Sequence, residues 1–287
     1  FLKFWEIGKE NSSRFFNQIT ALRRKILGRN IAVVKEIIWP AIFIMSLAFT
    51  IGVFPKFIIT FGWASDDFLS IYEGKIGVIH LIVILVVAIA LVIGTITVQH
   101  SENEVAPENI FDKFALFIGR VTMLLVVSLV TAMFAEVVLR YVFEAPTLWA
   151  NELCLWMSGF IFLLSGLYAM QQRNHIRIYL LYDILPRNMQ RLCDTISVLL
   201  ILFFAFSMVY GGFGEAQAKF LRWETFGTAW DPPLPATIKP TILIAIILVA
   251  IQSLVNLIAD WNKVPESHSP IDESEVESIV QQTRGEQ

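Results

Sequence analysis

Charge is what this 287-residue sequence has least of. Asp, Glu, Lys and Arg make up 16% of it, where an ordinary soluble domain carries about a quarter. A chain with so little to offer water does not read as a soluble enzyme. Its net charge of −3 supplies no basic face for a phosphate backbone, so nucleic acid is excluded as a partner. Cysteine is nearly absent. Cys154 and Cys193 stand 39 residues apart, which fits no metal or redox spacing, and both are read as small buried residues without a disulfide. Histidine is limited to His80, His100, His175 and His268. Haem in a membrane bundle needs axial ligands on facing helices, and His80 and His100 fall at opposite ends of one expected helix. The sequence has no G-x-x-x-x-G-K-[ST] loop for phosphate, no H-E-x-x-H and no cysteine cluster for zinc. The expectation is a protein with no catalytic, cofactor-binding or metal site, and not an enzyme.

What is present is apolar: 56% of residues are hydrophobic, with 23 Phe. They are concentrated in blocks too continuous for one face of a soluble helix. A helix needs roughly 20 apolar residues to cross about 30 Å of hydrocarbon. Six blocks qualify: Ile37–Phe54, Ile76–Val98, Phe114–Leu139, Leu148–Met170, Leu192–Phe213 and Thr241–Ala259. Pro40 falls in a first turn, where its missing N–H costs little. Pro55 is expected to close the first block, and Lys239-Pro240 to precede the last. The fold class is all-α: a polytopic membrane bundle of about six transmembrane helices plus amphipathic interfacial helices.

Lysine and arginine set the orientation. Residues 1–36 carry eight of them and residues 171–191 carry four. The segments expected opposite carry fewer: Lys56 and Lys75, then Arg140, then three across 214–240. Both termini are therefore placed in the cytoplasm. The first residues do not read as a secretory signal, because the first long apolar block begins only near Ile37 and no small-residue cleavage site closes it. Residues 14–27 align Phe15, Ile19, Leu22 and Ile26 on one stripe, which suits a helix in the headgroup layer or one packed on the protein's own cytoplasmic face. Residues 175–185 are apolar but too short to span, and an interfacial segment is expected there. The tail from Val264 is polar and acidic and reads as flexible.

Ionisable residues inside spans are functional candidates by default. Arg120 is placed to snorkel toward the cytoplasmic headgroups. Glu136 and Arg140, four apart, suit a local ion pair or contact with another helix. Glu152 opens the fourth span, where an acidic residue also suits a helix N-terminus. His80 is expected to hydrogen-bond a neighbouring helix, with a proton relay as the functional alternative. Trp39, Trp63, Trp149, Trp223, Trp230 and Trp261 cluster near the expected boundaries as an aromatic belt. None of these groups forms a polar chain across the membrane, which argues against a complete carrier.

Residues 139–186 carry a recognisable pattern: Arg140-Tyr141-Val142-Phe143, Pro146, Trp149, Glu152-Leu153, Trp156, Gly166, Ala169, His175-Ile176-Arg177, Asp183 and Pro186. It resembles the small membrane subunit, of DctQ type, of the tripartite ATP-independent periplasmic (TRAP) transporters. The stretch 230–240, WDPPLPATIKP, resembles that family's Pro-rich entry into its last helix, so the resemblance covers 111–263. The sequence departs from the pattern at Ile178 and Tyr179, where the family commonly has Val and Asp. Two spans precede the resemblance. The implied organisation is a basic segment at 1–36, a two-helix extension at 37–110, a four-helix domain at 111–263 and a tail at 264–287. The resemblance further implies a non-catalytic scaffold subunit in the bacterial inner membrane. It would work with a large DctM-type permease subunit and a periplasmic substrate-binding protein, import carboxylate solutes by a sodium-coupled gradient, and contact membrane lipids. The candidate interface or motif residues it implies are Arg140, Trp149, Glu152, Trp156, Gly166, His175 and Asp183. The reading from a different class is a membrane-anchor subunit of a redox or cofactor complex. A self-sufficient carrier or channel is a third.

Overall fold

The computed structural model describes residues 36–63, 69, 74–101, 103–173 and 185–263. Six long helices account for most of them: α1 Glu36–Thr60, α2 Val78–Thr97, α3 Ile110–Tyr141, α4 Ala150–Gln171, α5 Arg187–Leu221 and α6 Leu234–Asp260. Each is long and apolar enough to cross a membrane, and no strand occurs among the described residues. The amphipathic segments expected at 14–27 and 175–185, together with the acidic tail, lie outside the described residues.

Several helix ends differ from the sequence expectation, for local physical reasons. α1 runs through Pro55 to Thr60. Proline there frees one backbone acceptor, but Pro55 itself, Phe57 and Ile58 are buried, and that packing carries the helix onward. α6 begins at Leu234, with Pro235 in the first turn and Pro240 inside the helix. α3 and α5 have 32 and 35 residues. At 1.5 Å per residue these are about 48 and 52 Å long, so both exceed the hydrocarbon thickness of about 30 Å. α3 starts cleanly because Asp112 reaches back to accept the backbone N–H groups of Asn109 and Glu108, at 3.2 and 3.1 Å.

Packing pairs α3 with α4, α5 with α6 and α4 with α6, while α2 lies against α3. In hydrocarbon there is little hydrophobic drive between helices, so close approach through small residues matters most. Two glycines provide it. A Cβ on Gly94 of α2 would stand 2.1 Å from the Phe117 ring of α3, and one on Gly119 would stand 2.5 Å from the Tyr168 ring of α4. α1 runs along the bundle and closes it at two levels. Near its start, Trp39, Phe43 and Ile44 pack on the cluster of Phe117, Ile118, Val121 and Leu167. Near its end, Ile51 and Phe54 pack with Ile58, Trp223 and Ala236. The Phe54 ring stacks on Trp223 at 5.0 Å between centroids. Trp223 is therefore a core residue, 5% exposed, and not part of an aromatic belt. Both cysteines are free thiols.

Candidate functional site

The polar side chains gather at the two ends of the bundle. At one end, α3 and α6 are joined through Gln252, which is fully buried. Its amide nitrogen donates to Asp112 Oδ1 at 2.8 Å and to Asn256 Oδ1 at 2.9 Å. Asn256 in turn donates to the Met170 carbonyl of α4 at 2.7 Å. Just outside α4, Arg173 holds Asp260 with two bonds of 2.6 and 2.8 Å. Burial alone would lower the Arg173 guanidinium, and the Asp260 carboxylate raises it above its ordinary value. Lys263 bridges Asp260 to Glu108. Arg187, at the start of α5, donates to the Asp260 carbonyl at 2.9 Å, and Arg191 lies 5.4 Å over the Trp261 ring. Four helix ends are thus tied together by charge-assisted bonds, which are stronger than neutral ones.

The same end holds Arg120. It does not snorkel: its side chain is 14% exposed and that of Glu104, from the α2–α3 connection, is 9% exposed. The guanidinium donates to both Glu104 oxygens, at 2.8 and 2.7 Å, and to the Gln99 carbonyl at 3.1 Å. Tyr168 of α4 donates its hydroxyl to Glu104 at 2.7 Å, and the Ser101 N–H donates at 2.8 Å. Burial alone would raise the Glu104 carboxyl. The bonds from Arg120, Ser101 and Tyr168 outweigh that and hold it below its ordinary value. Nearby, the Val105 N–H donates to Gln172 at 2.9 Å and Gln171 donates to the Val105 carbonyl at 3.3 Å.

At the other end, Glu136 and Arg140 form the expected i,i+4 pair at 2.5 Å, and Glu136 also accepts the Thr147 hydroxyl and its N–H. Glu136 is buried and so fixes the α3–α4 turn, while the Arg140 side chain remains 47% exposed. Glu152 sits in the first turn of α4 and accepts the Thr228 hydroxyl at 2.6 Å, which joins the α3–α4 and α5–α6 turns. Trp149 is partly exposed at the start of α4. Trp156 faces inward, donating its indole N–H to Thr237 of α6 at 2.8 Å with its ring against Trp230. Gly166 is exposed, and a Cβ there would meet only Val249, at 4.0 Å. His80 accepts the Gly77 N–H at 2.9 Å, so it caps its own helix and does not reach across to another; the Phe49 and Phe57 rings of α1 flank it. His175 and Asp183 lie outside the described residues. The structure thus brings Glu136, Arg140 and Glu152 to one end and holds half-buried Trp156 against Thr237 of α6.

Between the two ends the hydroxyls turn back on their own helices. Thr122 and Thr131 donate to Ile118 and Val127 carbonyls in α3, and Ser158 and Ser165 to Leu155 and Phe162 carbonyls in α4. The described bundle is thus apolar at its centre and cross-linked at its two ends. Sequence reasoning missed Glu104, Tyr168 and Gln252. The signal for Gln252 was present as the Gln252–Asn256 pair, four apart in an apolar span.

These features define a multi-pass membrane helix bundle whose described polar side chains tie its helices to one another. Residues 129–263, from the second half of α3 through α6, match the family model of tripartite ATP-independent periplasmic transporters, DctQ component. Through this stretch the chain is similar to the DctQ component of those transporters. A similar curated protein is the C4-dicarboxylate TRAP transporter small permease protein DctQ of Vibrio cholerae, 28% identical over 127 residues, which is 42% of this chain. The chain spans about half, 48%, of the length of that curated relative.

Proposed function

We propose that this chain is the small, non-catalytic membrane subunit of a TRAP-type secondary transporter. The observation that carries the reading is the DctQ match over residues 129–263. In this reading the chain is part of a fixed scaffold against which a larger DctM-type permease subunit moves solute. A periplasmic binding protein delivers that solute. A sodium gradient drives the import, and the solute is a carboxylate, as the name of the Vibrio cholerae relative suggests for that protein. A bundle whose mid-span hydroxyls are satisfied within their own helices supports a scaffold over a conducting path. The Asp112 end carries Arg173, Arg187 and Arg191, which favours placing it and both termini in the cytoplasm.

The test is purification of the chain from native membranes in mild detergent, with identification of what accompanies it by mass spectrometry. A larger, very apolar polytopic partner is the expected result. Recovery of the chain alone, or with haem or redox subunits, overturns the proposal. Trp156 is engaged with Thr237 inside the chain, so exposed Gly166 is the better surface probe. Gly166→Trp adds bulk without charge, and it should reduce recovery of the partner while the chain's own thermal midpoint holds.

A further inference from the structure

We propose that the α2–α3 connection is a clasp, centred on Glu104 and Arg120, that fixes α2 onto α3 and α4. The inference goes beyond the transporter reading and does not depend on it. α2 is thinly attached: of its 20 residues only Ala90, Gly94 and Thr95 are buried, and its other contacts leave most of its side chains exposed. A helix held by so little packing needs another restraint to keep one position. Arg120 supplies it from the inside of α3. It reaches the Gln99 carbonyl just past the end of α2 and both oxygens of Glu104 in the connection. Tyr168 closes the site from α4, and the Val105 backbone is held on both sides by Gln171 and Gln172. One guanidinium thus joins the end of α2, the connection and α3, and Glu104 extends the link to α4 through Tyr168.

A simpler role would have Glu104 only neutralise Arg120 in an apolar interior. Breaking the pair would then lower stability and leave α2 in place. Hydrogen exchange on the full chain in lipid nanodiscs separates the two, using Glu104→Gln and Arg120→Met. If the clasp exists, the amides of Ser101 and Val105 and those in the last turn of α2 exchange about 100-fold faster in both variants, because breaking a buried pair removes most of what holds that segment. The amides around Gln252 and Asn256 keep their protection. Two results overturn the clasp: unchanged exchange at Ser101, Val105 and the end of α2 in both variants, or equal acceleration around Gln252 and Asn256, which would make the pair part of a common core.

Discussion

Substituting Gly94 by alanine is a small change with a calculable penalty. The new methyl carbon would stand 2.1, 2.7 and 2.8 Å from three atoms of the Phe117 ring, where ordinary carbon contacts sit at about 3.5–4.0 Å. The ring cannot simply turn aside. Phe117 is 1% exposed, the Phe43 ring meets it edge-on at 5.7 Å, and Leu167 belongs to the same cluster. Either α2 retreats from α3 or the cluster deforms, and overpacking of this kind costs about 1–3 kcal/mol. Alanine recovers up to about 1 kcal/mol through its better helix propensity. The net expectation is a loss of about 1–2 kcal/mol, read as a lower midpoint in detergent-mediated unfolding. The decisive comparison is a double-mutant cycle. Phe117→Leu removes the ring atoms nearest the new methyl, so Gly94→Ala should cost little in that background, with a coupling of about 1 kcal/mol or more. Equal cost in both backgrounds, or no cost in the parent, would refute the packing argument.

Two further outcomes follow from the polar ends. Because its folded-state carboxyl lies below its ordinary value of 4.5, Glu104 contributes stability that is fully present above that pH and is lost as pH falls through the folded value. Thermal midpoints measured from pH 7 downward should therefore fall more in the parent than in Glu104→Gln, and parallel curves would contradict the assigned bonds. Trp156→Phe should keep most of the ring packing but lose the bond to Thr237, at about 1 kcal/mol. A loss of that size should vanish when Thr237 has already been replaced by valine.

The spans were legible because hydrocarbon imposes a length and composition that few other settings require. Their ends were less so. Pro55 and Pro240 read as boundaries, since proline lacks a donor, yet tertiary packing of Pro55, Phe57, Ile58 and Ala236 carries both helices past them. The Glu136–Arg140 pair was readable because both residues lie on one helix, four apart. Glu104–Arg120 was not: the partners are 16 positions apart, one of them in a connection with no periodic signal, and only the fold places Tyr168 beside them. Trp223 read as a membrane-boundary tryptophan by position alone, and its burial depends on α1 arriving from the far end of the sequence. The partner-facing candidates rested on resemblance, while the bond from Trp156 to Thr237 of α6 depends on a residue 81 positions away.

The contact between Phe54 and Trp223 has a consequence in time. The two rings stack but are 169 positions apart in the chain. At about 5–20 residues per second, the ribosome needs roughly 10–30 s to deliver the second after the first. During that interval α1 resides in the bilayer with its later aromatic side chains covered only by lipid, and neither Trp223 nor Ala236 yet exists to receive them. The contacts at the end of α1 therefore form in a later step than those at its start, whose partners Phe117 and Leu167 are made sooner.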